Sequence, residues 1–188
     1  MAAAYSFVSR WRIPQPPEQV WAELERTLTG PSAATIPWWP ELSIPMPPRR
    51  LAPGERMVLA VRSPLGYRLR VRLELTSVDA GRALAAASEG DLRGTGEVVI
   101  GGPAPEDRTG DPAGAGWCLV AFRWDVQTRR PWMNATAWLL RPLFERAHAR
   151  VMRRGERGLQ ALWGSGAGSE PRNAGNPRPT GGRGGRAD

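Results

Sequence analysis

With 188 residues, 41% of them apolar, the chain has the size and composition of one folded domain with a core of its own, which excludes a wholly disordered or fibrous protein. Its formal charge is +8, all 26 basic residues are arginine, and a single cysteine, Cys118, excludes an intramolecular disulfide and any cysteine-based metal cluster. Met1 to Ile13 has neither the basic nor the apolar region of a signal peptide, and no window approaches 18 consecutive apolar residues, so a cytoplasmic location is expected.

Tyr5 to Ile13 alternates, with Tyr5, Phe7, Trp11 and Ile13 on one side, and predicts a half-buried strand. Pro17 suits the first position of a short helix that runs through Val20, Trp21, Leu24 and Leu28 and stops at Gly30. From Pro31 to Gly54 proline is frequent and Trp38 and Trp39 are adjacent, which reads as an irregular segment pinned by aromatics. Strands follow over Glu55 to Ser63, Tyr67 to Val78, Ala83 to Glu89 and Leu92 to Ile100, joined by turns at Pro64-Leu65-Gly66, Asp79-Ala80-Gly81 and Gly90-Asp91. In the second of these Leu69, Val71, Leu73 and Leu75 form the buried face, opposite Arg68, Arg70, Arg72 and Glu74. Gly101 to Gly116 has the composition of a flexible loop. Trp117 to Thr128 is the last strand, its inward parity being Cys118, Val120, Phe122, Trp124 and Val126.

Pro131 to Trp163 then carries helical periodicity from end to end, about 45 Å of it. Met133, Leu140, Phe144, Ala147, Val151, Gly155, Gly158 and Leu162 share one stripe, with Arg146, Arg150, Arg153 and Arg157 opposite. Pro142 predicts a bend, and Gly164 a stop. Between Arg141 and Arg157 six arginines face Glu145 and Glu156, and four more lie in the tail against Glu170 and Asp188. The charge excess therefore belongs to a solvated helix face and a tail, a pattern open to weak contact with an anionic membrane and too sparse for nucleic acid. A curved antiparallel sheet of about seven strands wrapped around this helix gives an α+β architecture with space trapped between the two layers.

Trp11-Arg12-Ile13-Pro14, Glu18-Gln19-Val20-Trp21, Trp38-Trp39-Pro40, Ser63-Pro64-Leu65-Gly66-Tyr67 and Gly90-Asp91-Leu92-Arg93-Gly94 occur in this order. They are followed by Phe122-Arg123-Trp124-Asp125-Val126, Pro142-Leu143-Phe144 leading to His148, Val151-Met152-Arg153-Arg154-Gly155 and Gly158-Leu159. Over residues 4 to 163 the chain resembles the START-like, SRPBCC superfamily: polyketide cyclases/dehydrases and lipid-transport proteins with the helix-grip fold of the birch-pollen allergen group. The resemblance implies a hydrophobic ligand in a cavity and no cofactor, and it carries over no catalytic residue. Ala147, where similar proteins often have Asn, the proline-rich Ser43 to Pro53 stretch and the Arg/Gly tail depart from the pattern. The expected organisation is a ligand-binding domain over residues 1–163 and a disordered Gly/Pro/Arg-rich tail over 164–188.

Trp38, Trp39, Asp91, Arg93, Phe122, Trp124, His148 and Met152 are the candidate ligand-binding residues. His148, the only histidine, lies near the apolar stripe, where an imidazole is either a structural group or a general acid/base for a cyclase-type reaction. No second histidine exists for a metal site. Gly94 and Gly96 either admit a ligand to the backbone or relieve strand curvature. Cys118 has no basic neighbour in sequence to activate it and reads as an inert buried thiol. Three functions follow in order of preference: binding of a hydrophobic small molecule, a cyclase/aromatase using His148, and a peripheral lipid-transfer module using the arginine face.

Overall fold

The alternation over Ala4–Ile13 forms β1, with Tyr5, Trp11 and Ile13 buried. In the computed structural model, which describes residues 4–31, 35–64, 66–102, 116–128 and 131–164 (of 131–141 the backbone alone), β1 leads into helix α1 (Pro17–Thr29). Pro16 and Pro17 start that helix at no hydrogen-bond cost, because the first backbone N–H groups have no partner in any helix. Val20, Trp21 and Leu24 are its buried face. The strands β2 (Leu42–Met46), β3 (Arg56–Arg62), β4 (Arg68–Asp79), β5 (Ala83–Gly90), β6 (Leu92–Gly101) and β7 (Cys118–Thr128) follow, and then helix α2 (Pro131–Gly164).

Every strand pairs antiparallel, in the order β1-β7-β6-β5-β4-β3-β2, so the described residues form a seven-stranded curled sheet with the first strand beside the last. Parity settles its faces. Val71, Leu73 and Leu75 of β4, and Cys118, Val120, Phe122 and Val126 of β7, are buried, while Arg68, Arg70 and Arg72 point outward into solvent. On that outer face Ser6 Oγ donates to Asp125 Oδ1 (2.6 Å) across β1 and β7, and Arg123 Nε donates to Asp125 Oδ2 (2.7 Å); these bonds hold the Asp125 carboxyl below its usual range.

The segment after α1 is not irregular throughout, as its prolines had suggested. It contains β2, an edge strand of five residues in which Pro45 stands where an edge needs no ladder donor on one side, with a register shift between Ser43 and Met46. Ahead of β2, Trp38 and Trp39 are buried: Trp38 Nε1 donates to Glu23 Oε1 (3.0 Å) on α1, and Trp39 Nε1 donates to the Val151 carbonyl (3.0 Å) on α2. The aromatic pair thus ties both helices to one short stretch of chain.

α2 runs unbroken from Pro131 through Pro142 and ends at Gly164. Phe144, Ala147, Val151 and Gly155 are buried as the periodicity predicts, and Arg146, Arg150, Arg153 and Arg157 are exposed. The phase drifts toward the C-terminus: Leu162, expected on the stripe, is 41% exposed, and Leu159 is fully buried in its place, with Met152 beside Val151. The stripe that fits is Phe144, Ala147, Val151, Met152, Gly155 and Leu159, because α2 turns its side toward the Trp38-Trp39 segment as well as toward the sheet. A Cβ on Gly155 would stand 2.6 Å from Trp39 Cε2 and 2.8 Å from Trp11 Cη2, and one on Gly158 would overlap the Trp38 carbonyl oxygen. Those two glycines let the helix lie directly on the tryptophans. At β1, Arg12 N–H donates to Glu156 Oε1 (3.0 Å) and Gln160 Nε2 to the Arg12 carbonyl (2.7 Å), so α2 also satisfies backbone groups of the sheet edge. The expectations for Leu65, for the loop between Gly102 and Gly116, for the side chains of Met133 and Leu140 and for the tail beyond Gly164 lie outside the described residues.

Candidate functional site

The inner face of the sheet, α1, the Trp38-Trp39 segment and α2 surround a partly open cavity of about 230 Å³. Its walls are Met57, Leu59 and Val61 of β3, Leu69 to Leu75 of β4 at alternate positions, Leu84 and Ala86 of β5, Phe122, Trp124 and Val126 of β7, and Phe144, Ala147, His148, Val151 and Met152 of α2. Leu24 and Leu28 close it from α1. On the inner face the register sets Ala86 beside Gly96 and Trp124 opposite Gly96. The indole of Trp124 lies across that glycine: a Cβ there would be 2.7 Å from Trp124 Cζ3. Gly96 therefore makes room for a ring of the protein itself, in addition to any relief of curvature.

Two aromatic groups bound the cavity. At one, Trp38 and Trp39 stack (centroids 5.7 Å apart) and Trp39 meets Trp11 edge-on (5.0 Å), with Phe122 tilted against Trp11 (4.4 Å). The indole N–H groups of Trp38 and Trp39 are both bonded to protein acceptors, so what they offer the cavity is ring surface. At the other, Phe144 takes Tyr5 and Tyr67 edge-on at 6.2 and 6.1 Å, and Phe7 stacks on the imidazole of His148 at 4.3 Å.

Of the residues singled out from sequence, Trp38, Trp39, Phe122, Trp124, His148 and Met152 come together on the cavity wall, and Asp91 and Arg93 do not. Asp91 instead closes the β5–β6 turn, where its Oδ2 accepts from the Arg70 backbone N–H at 2.8 Å, and Arg93 points to solvent. Sequence reasoning missed Tyr5, Phe7, Tyr67 and Phe144 as wall residues. The parity of β1, the extension of the β4 parity back to Tyr67, and the α2 stripe each contained the signal.

His148 is mostly buried, and that burial lowers its pKa to about 4, so the ring is neutral near pH 7. Ser9 Oγ lies 3.4 Å from its Nε2. A base this weak abstracts protons poorly at neutral pH. The shift has a consequence for stability. Above about pH 6.5 the ring is neutral in both folded and unfolded chains; as pH falls from there to about 4 the unfolded chain takes up a proton that the folded one refuses, so stability falls and then levels off. We expect wild type to lose up to roughly 3 kcal/mol more than His148→Leu between pH 7.5 and pH 4, read from urea midpoints. Parallel pH profiles would show that the ring is solvated. Cys118 is fully buried, and burial first, then Glu18, pushes its thiol up to about 11, which leaves no reactive thiolate. Among the described residues no three His, Cys, Asp or Glu side chains gather as a metal would need.

No family model and no curated protein matches the chain. Solved structures do. A START superfamily protein from Mycobacterium smegmatis, 11% identical, superposes with a TM-score of 0.56 over 85% of this chain and 97% of its own. Protein Ms6760 from the same organism gives 0.54 at 14% identity over 86% and 92%, and a protein from Thermus thermophilus gives 0.53 at 20% identity over 84% and 99%. With the curled sheet and the gripping α2, these likenesses define the class: the chain has the START-like helix-grip fold. At such identities they speak for the fold alone.

Proposed function

We propose that residues 1–163 are a ligand-binding domain whose cavity holds a hydrophobic small molecule, lipid-, polyketide- or aromatic-like, against Trp38, Trp39, Phe122, Trp124, His148 and Met152. The observation that supports this reading best is the wall itself: aliphatic and aromatic surface on every side, with the indole N–H groups of the tryptophan pair turned into the protein. A cyclase would need an active acid or base inside the cavity, and the one histidine on its wall is disarmed by burial. The exposed arginines of α2 lie opposite its buried stripe, so a weak anionic membrane contact through them would be separate from ligand binding. No helix among the described residues is long and apolar enough to cross a membrane.

Trp124→Ala tests the reading. Trp124 is half-buried over Gly96 and borders empty space, so its removal should cost well under the roughly 3–5 kcal/mol of a fully packed aromatic, while the affinity for an apolar fluorescent probe changes several-fold. A full core penalty, with no probe bound by wild type or variant, would mean that the domain is solid and binds nothing there.

A further inference from the structure

Resting on that reading of the cavity, we propose that its occupant is a neutral aromatic of one or two rings carrying a hydroxyl, a phenol or naphthol in class, and not a fatty acid or a polycyclic acid. Size comes first: an apolar cavity of about 150 Å³ takes up benzene, so the about 230 Å³ present here has room for one or two rings. Shape agrees, because Trp38 and Trp39 at one end, and Phe7 stacked on His148 at the other, offer flat faces for stacking and edges for T-shaped contact.

Charge narrows the class further. The chain has 26 arginines, yet none is among the described residues that line the cavity, and Glu97, the one acidic residue among them, is exposed on the outward parity of β6. A ligand carboxylate would surrender its hydration and gain no cation in return. What the wall does offer is His148, neutral and therefore carrying one donor and one acceptor nitrogen, stacked on Phe7 at that end. A hydroxyl, which both donates and accepts, complements that end; a hydrocarbon leaves it unused and a carboxylate cannot be tolerated there.

Calorimetric titration of the full chain with naphthalene, a naphthol, a naphthoate and dodecanoate tests this. The naphthol should bind about five-fold more tightly than naphthalene, the gain of one neutral hydrogen bond, and both carboxylates should bind at least about a hundredfold more weakly than the naphthol. His148→Leu should keep naphthalene binding and lose the five-fold preference. Naphthoate or dodecanoate matching the naphthol, or the preference surviving in His148→Leu, overturns the proposal. Naphthalene binding with no hydroxyl preference overturns the proposal and leaves the ligand-site reading standing, whereas binding of none of the four overturns both.

Discussion

Gly158→Ala should destabilise the domain by about 3 kcal/mol, although alanine is the better helix former by about 1 kcal/mol. The reason is position. At Gly158 the helix lies against the backbone of Trp38, and a methyl group there would overlap the Trp38 carbonyl. A flexible side chain could swing away, but this carbonyl belongs to a segment held on both sides, by Trp38 Nε1 to Glu23 and by Trp39 Nε1 to Val151. Either the segment or the helix has to move, and each movement opens the cavity wall. Gly164→Ala, with open space around it at the end of α2, is the control and should be neutral within about 0.5 kcal/mol. Urea denaturation of the two variants beside wild type is the measurement. Equal midpoints for all three would place α2 further from Trp38 than the structure has it.

Val151→Asp should abolish cooperative unfolding at neutral pH, and Arg153→Asp should leave it intact. Val151 is buried on the cavity wall, and its carbonyl holds Trp39. An ionised carboxylate there has no cation beside it, and its cost is comparable to the whole stability of a domain, roughly 5–15 kcal/mol. Arg153 sits two residues on, on the opposite face, in solvent, where a charge change falls within about 0.5 kcal/mol. Circular dichroism melts at pH 7.5 separate the two outcomes. Similar melting curves for both variants would contradict the helix phase described above.

The elements most legible from sequence were those with one dry face and one wet face. β4 alternates leucine or valine with arginine or glutamate from Arg68 to Leu75, and β7 sets Cys118, Val120, Phe122, Trp124 and Val126 on one parity; in both the alternation leaves a single register that keeps charge out of the core. β2 was not legible. Its five residues include Pro45, and it is a strand because β3 lies alongside it, as the antiparallel partners Leu42 with Val61 and Ser43 with Ala60 show. The candidate site divides in the same way. Phe122, Trp124 and His148 could be assigned to the inner side from period, Met152 lay off the stripe the period gave, and Asp91 and Arg93, chosen for their polarity beside glycines, form a turn and a solvent-facing position.

By itself the sequence determined the two periodicities, two in the strands and 3.6 in the helices, and hence which side chains had to leave water; that is local information, written in neighbours along the chain. It also determined that one histidine and one cysteine would lie within those apolar faces. Only the tertiary structure decided how far α2 is rotated, exposing Leu162 and burying Leu159, because that rotation depends on the contact of Gly155 and Gly158 with Trp38 and Trp39, more than a hundred residues away. It decided too that space remains between the layers, since the cavity exists only where the strands, α1 and α2 are brought around a common volume that none of them fills.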